Sequence, residues 1–344
     1  MIYQTQRQMS SNQSRQCQAH VALIRYPRFN ELHQEIQMCQ EISTMAGEPQ
    51  CMSLEGVTGA GKSTLARLYA EAFPRYYTPD GAKIPVFYME TPSPVTVKGM
   101  AARMLAELGD PAAHSGPLWS MNDRLIHYIG QVCQVQLVIL DDFHHLIDKE
   151  TNRILEKVSD WLKVLIKETN VPFLVVGIEG KVEQILTAND QLSRLFAARE
   201  QLEPFSWDGA DKKSLQEFAA FIKYGEKGMG LPLSDEVPRQ ELLYRLHYAT
   251  AGVVGNVMNL LRFATFLAQR QGAQQLTLAI LTQAFAKRLQ KHMAKRLNPF
   301  AVAADQAFTP PQPLPPSDPP NSATKRSRRL KARSPTAADV LKTS

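Results

Sequence analysis

Three glycines, a lysine and three hydroxyls crowd into LEGVTGAGKST, residues 54–64. Gly56 to Ser63 has the spacing G-x-x-x-x-G-K-S. Glycines at 56, 59 and 61 let backbone N–H groups turn inward around an anion, where side chains would block its approach. Thr58 and Ala60 complete the loop. Lys62 supplies charge to β- and γ-phosphates, Ser63 offers a hydroxyl to Mg²⁺, and Thr64 opens a helix whose N-terminus favours anions. Such a loop needs an acid at the end of a neighbouring strand, and LVILDD (137–142) provides two. Phosphoryl transfer relies on positioning and charge more than on covalent chemistry. We therefore assign Asp141 to the Mg²⁺–water shell and Asp142 to polarising the attacking water, with ATP and Mg²⁺ as the expected cofactors. The competing readings are a flexible Gly/Ser turn and a solvated strand end with capping acids. His144 and His145 follow directly. Adjacent residues point in different directions and no further ligand set is evident, so loop packing or nucleotide sensing suits them better than a metal cluster.

Elements must hold these groups. PQCMSLEG ends in a strand running into the glycine loop, and STLARLYAEAF after Lys62 has a helical pattern. IPVFYMETP, VQLVILDDFHHL and VPFLVVGIEG read as further buried strands, separated by helical stretches. Strands alternating with helices predict an α/β fold with a central parallel sheet covered on both faces. From about residue 208 the pattern is helical throughout, predicting a smaller α-helical lid. The expected domains are an N-terminal arm (1–22), a nucleotide-binding α/β domain (23–207), the lid (208–300) and a Pro-rich linker with a basic tail (301–344). The 44% hydrophobic content is ordinary for a globular chain. The N-terminus lacks the apolar region of a secretory signal, and no apolar run approaches the roughly 20 residues of a membrane span. Four cysteines without C-x-x-C spacing argue against disulfides or zinc. The expected location is the cytoplasm, with no membrane.

Charge is unevenly placed. Residues 321–344 hold seven Lys/Arg and one acid; removing them from totals of 39 and 33 leaves thirty-two of each. The whole formal excess of +6 therefore sits in the tail. Seven prolines between Ala301 and Ala323 hold the cluster Lys325, Arg326, Arg328, Arg329, Lys331 and Arg333 away from the body.

The order of motifs resembles the TniB/TnsC family of AAA+ transposition regulators, relatives of the MuB target-selection ATPases. The resemblance is carried by RYPRF (25–29), GVTGAGKST (56–64), PVFYMETPSPVTVKGMAARMLAELGDP (85–111), LVILDDFHHL (137–146), IKETNVPFLVVGIEG (166–180), NDQLSRLF (189–196) and TAGVVGNVMNLLRFA (250–264). It implies an AAA+ P-loop fold whose subunits form rings or helical filaments on duplex DNA in the ATP state. The assembly would recruit a transposase that stimulates hydrolysis. It also places Lys62 and Ser63 on nucleotide and Mg²⁺, and Asp141 and Asp142 as the Walker B pair. The chain departs from the pattern in four places. Asp142 replaces the usual Glu, and Ile178 stands where a polar Thr is common. The family's arginine is displaced to Arg194, so Arg194 or Arg199 is the candidate finger for a neighbouring subunit. Met258 occupies the position of a lid sensor arginine. These departures predict slow or regulated hydrolysis.

The stretch TPSPVTVKGMAARM resembles the family's DNA-tracking region, making Thr96, Lys98 and Arg103 candidate phosphate contacts. Such contacts give affinity without sequence preference; the alternative is a solvated helix face. The tail reads as a tethered peptide that captures the transposase, with DNA assistance. The expected partners are double-stranded DNA, a transposase, a target-selection factor of open identity and further copies of this chain. Two other functions stand beside this one. A nucleotide-gated DNA-binding scaffold would hydrolyse little. A secretion-type AAA ATPase is disfavoured because neither a membrane span nor a wall-binding domain follows the lid.

Overall fold

Continuous apolar strands call for cover on both faces, and the computed structural model supplies it. It describes residues 25–46, 48–92, 96–147, 152–207, 212–293 and 296–310. The chain opens with helix α1 (Pro27–Ala46) and strand β1 (Met52–Gly56), and the glycine loop leads into α2 (Lys62–Glu71). A small hairpin, β2 (Tyr76–Thr78) and β3 (Gly81–Lys83), precedes β4 (Val86–Glu90) and α3 (Val97–Leu108). Helix α4 (Leu118–His127) then precedes β5 (Leu137–Asp141), α5 (Asn152–Thr169) and β6 (Phe173–Ile178). Two short helices, α6 (Lys181–Thr187) and α7 (Asp190–Leu195), lead to β7 (Ala198–Gln201). Four helices follow: α8 (Lys212–Met229), α9 (Arg239–Thr250), α10 (Val254–Gln271) and α11 (Leu278–Arg288).

The five main strands form one sheet in the order β4-β5-β6-β1-β7, and every pairing is parallel. Parallel neighbours need crossover connections, which the intervening helices provide. The two-residue period of a strand sorts the side chains. Leu137, Ile139, Leu174 and Val176 enter one core with Met52 and Leu54, while Val138, Leu140, Phe173 and Val175 enter the other. The first core also takes residues of α1, α2 and all four C-terminal helices, so the helical region buries its apolar faces in the same cluster as the sheet. The second core is closed by α3, α4, α5 and α6.

Arg245 in α9 is fully buried. Its Nε donates to Glu241, and its Nη atoms donate to the carbonyls of Val302 (2.8 Å) and Gln306 (2.6 Å). Phe308 N–H donates to the same glutamate at 2.8 Å, clamping the segment that follows the last helix. Residue contacts divide the chain between Phe308 and Thr309. The basic cluster Lys325, Arg326, Arg328, Arg329, Lys331 and Arg333 lies outside the described residues. Among the described residues no single helix is long and apolar enough to cross a membrane.

Candidate nucleotide and metal site

β1 lies in the interior of the sheet and delivers the chain into the glycine loop. At Gly56 a Cβ would sit 2.4 Å from Leu202 O, so any larger residue would push the loop off the neighbouring strand. Lys62, at the start of α2, is buried, and its Nζ donates to the carbonyls of Gly56 (2.8 Å) and Val57 (3.0 Å). Burial pulls the Lys62 ammonium below its ordinary range, opposed by the attraction of Asp141, Asp142 and Glu55. The C-terminal helical region touches the loop directly. Gly255 N–H at the start of α10 donates to Gly59 O at 2.8 Å, and a Cβ at Gly255 would come within 2.8 Å of that oxygen.

Asp141 ends β5 with no solvent exposure. Tyr88 Oη donates to its Oδ2 (2.9 Å) and Asp142 N–H donates to its Oδ1 (2.9 Å), and the Ser63 hydroxyl lies near the same carboxylate. Burial raises the Asp141 carboxyl above the ordinary aspartate range, and these hydrogen bonds pull it back. Asp142 is half-buried and adopts φ = 51°, the left-handed region that Asp enters more readily than most side chains. That conformation gives a physical reason for the shorter acid here. His144 and His145 lie side by side in the following turn, their ring centroids 4.4 Å apart and their planes tilted by 38°. Among the described residues no group of three or more His, Cys, Asp or Glu is gathered to hold a metal.

A cavity of about 490 Å³ opens over the loop, within the size range of small-molecule sites. Gly59 to Thr64 form one wall, while Tyr26, Phe29 and Phe221 line it with Met258, Asn259 and Arg262 of α10. Tyr26 packs edge-on against Phe221, with centroids 5.5 Å apart. Two buried polar atoms without a partner among the described residues, Tyr26 Oη and Arg262 Nε, belong to residues of this lining. Orphaned groups of this kind fit a cavity whose occupant is polar. The residues present therefore suit a nucleotide, and Ser63 and Asp141 are the candidates that could hold its metal. Thr58 and Thr64 are exposed on the loop and the first helical turn, and Ala60 is buried beneath it.

The two arginines after β6 differ. Arg199 pairs with Glu183 and donates to the carbonyls of Phe196 and Ser193, each at 3.2 Å. Arg194, in the last turn of α7, is exposed and has no ion-pair or hydrogen-bond partner among the described residues. Buried Glu55 accepts from the N–H groups of Gly180 (3.2 Å) and Glu183 (2.9 Å), tying the loop-bearing strand to the start of α6. On α3, Thr96 is the N-cap and accepts from Gly99 N–H at 3.1 Å. Arg103 pairs with Glu107 at 2.7 Å on the surface, and Lys98 is exposed. The structure thus brings the glycine loop, Asp141 and Asp142 together and leaves Thr96, Lys98, Arg103 and Arg194 on the surface. Sequence reasoning did not reach Tyr88 or Arg262. Arg262 lies one helical turn beyond Met258 on the same face, a spacing that could have flagged it.

The family model described as "Bacterial TniB protein" matches residues 16–206, more than half of the chain. No curated protein matches it. Among solved structures, the chain is similar to Cdc6p from Pyrobaculum aerophilum (TM-score 0.54, 13% identity, covering 76% of this chain and 68% of that one). It is also similar to the Aeropyrum pernix ORC1 protein in complex with DNA (TM-score 0.52, 15% identity, 77% and 66%). The Aeropyrum pernix ORC2 protein, in its ADPNP–ADP complexes, gives a TM-score of 0.50 at 16% identity, covering 76% and 70%. At these identities the likeness concerns the fold, which is that of the AAA+ ATPases. The chain belongs to the bacterial TniB family.

Proposed function

We propose that this protein is an ATP-dependent regulator of DNA transposition that assembles on duplex DNA and recruits a transposase. One observation carries the reading: in a TniB-family chain the glycine loop and its lysine line one cavity, and Ser63 of that loop lies near the buried Asp141 carboxylate. Loop N–H groups and the N-terminus of α2 would bind the phosphates. Lys62 Nζ would exchange the carbonyls of Gly56 and Val57 for β- and γ-phosphate oxygens. Mg²⁺, when bound, neutralises phosphate charge; Ser63 and Asp141 would hold it. Asp142 would orient the attacking water. Of the two arginines, Arg194 is the better finger for a neighbouring subunit, because Arg199 is already committed within its own chain. Lys98 is the best-placed phosphate contact on α3, since Thr96 caps the helix and Arg103 has a partner. The cluster from Lys325 to Arg333 would tether the transposase, and a target-selection factor would direct the assembly.

Fluorescence anisotropy on a random-sequence duplex tests this, with and without a non-hydrolysable ATP analogue. Binding that requires the analogue and vanishes in Lys62→Ala is expected. Equal binding without nucleotide contradicts the proposal. The left-handed Asp142 and the apolar Ile178 and Met258 favour a second reading, a nucleotide-gated scaffold with little hydrolysis. Asp142→Glu separates the two: a large gain in turnover favours the scaffold, and a loss makes Asp142 the working group.

A further inference from the structure

Asp141 accepts one hydrogen bond on each oxygen, from the backbone N–H of Asp142 next door and from Tyr88 on the adjacent strand, and Ser63 of the glycine loop lies near the same carboxylate. In the metal-bound arrangement proposed above, the Ser63 hydroxyl turns to the ion. The Asp142 N–H holds Oδ1 only, at 2.9 Å. Tyr88 then provides the remaining side-chain donor, and it serves Oδ2, also at 2.9 Å. A carboxylate has about four acceptor sites on its two oxygens. One donor on each oxygen fixes the plane of the group and leaves the other lone pairs for the waters of a metal.

The phenol is itself aimed. β4 and β5 pair in parallel with Glu90 opposite Asp141, so Tyr88 stands two residues back on its strand. Its hydroxyl has one proton and faces two acceptors, Asp141 Oδ2 at 2.9 Å and Glu90 Oε1 at 3.3 Å. Arg67 of α2 pairs with Glu90 and lies 5.9 Å from the centroid of the Tyr88 ring. Arg67 thus engages the competing carboxylate, and the shorter contact takes the proton.

We propose that Tyr88 is a positioning residue for the metal. Its hydroxyl sets the orientation of Asp141, so metal affinity depends on it while metal-free nucleotide affinity does not. The inference rests on the assignment of Ser63 and Asp141 made above. Partners that orient a ligand in this way typically contribute 10–100-fold to metal affinity.

The test is Mn²⁺ binding to the full-length protein with ADP, followed by electron paramagnetic resonance, alongside calorimetric ADP affinity in EDTA. Tyr88→Phe is expected to weaken Mn²⁺ binding by about tenfold or more and to leave ADP affinity in EDTA within about twofold of wild type. Glu90→Gln removes the competing carboxylate and not the donor, and should leave Mn²⁺ affinity within about twofold of wild type. Wild-type Mn²⁺ affinity in Tyr88→Phe overturns the proposal. So does an equal loss in Glu90→Gln, which would assign the effect to the charge cluster, or a matching loss of ADP affinity in EDTA, which would assign it to packing. A wild-type protein that binds ADP but no Mn²⁺ beside it would instead overturn the Ser63–Asp141 assignment itself.

Discussion

The glycine-loop cavity and the surface formed by α3 and α7 are built in opposite ways. Around the loop, the candidate side chains are buried and bonded: Lys62 to two carbonyls, Asp141 to two donors. On α3 and α7 the candidates stand in solvent, with Arg103 paired only along its own helix and Arg194 unpaired among the described residues. Buried polar groups hold one geometry because the alternatives leave them unsatisfied; exposed charges hold none until something binds them. The difference teaches where each partner belongs. The nucleotide meets a prepared site, whereas DNA and a second subunit would have to supply the other half of theirs.

Substitutions on both sides test that contrast. The largest effect is expected at Arg194. An arginine finger is worth roughly 10³-fold or more in turnover, so Arg194→Ala should abolish DNA-stimulated hydrolysis while nucleotide affinity, measured by calorimetry, holds. Arg199→Ala should instead lower the melting temperature, since it leaves Glu183 and two carbonyls without their donor. Equal losses of turnover in both, with unchanged stability, would erase the distinction between them. Next comes Lys62→Ala, expected to cost about 3 kcal/mol of nucleotide affinity, the scale of truncating a buried charge contact; calorimetry reads it directly. Smaller again is Lys98→Ala, which should reduce the log–log salt slope of DNA binding by about 0.9. Arg103→Ala should change it less, because that side chain must leave Glu107 first. Anisotropy over a salt series checks both.

The smallest effect is a pH dependence at His247, in the last turn of α9. Burial holds His247 below the ordinary histidine value of 6.5, and its Nε2 lies 2.7 Å from Phe205 O. A lowered folded value means that the unfolded chain binds the proton first. The stability from neutral His247 is therefore complete above pH 6.5 and is lost as pH falls toward its folded value. His247→Gln should flatten the acid side of the melting-temperature profile; an unchanged profile would remove this histidine from the account.

How far the sequence was legible follows from the same contrast. The glycine loop, its strand and its helix could be read because local spacing determines them. The four apolar strands could be read because burial on both faces leaves unbroken hydrophobic runs. β7 escaped notice because only alternate residues are half-buried and Arg199 and Glu200 interrupt it. The Tyr88–Asp141 bond depends on the register of two strands 53 residues apart, which no local pattern encodes. The choice between Arg194 and Arg199 turns on Glu183 and Ser193, which sequence distance does not rank.

In the proposed function, nucleotide and duplex DNA together drive assembly. Negative-stain imaging of the purified full-length protein with linear duplex, with and without a non-hydrolysable ATP analogue, tests it most directly. Rings or filaments that form only when both ligands are present, and fail to form in Lys62→Ala, are the predicted result. Monomers under every condition, or assemblies indifferent to nucleotide, would contradict it.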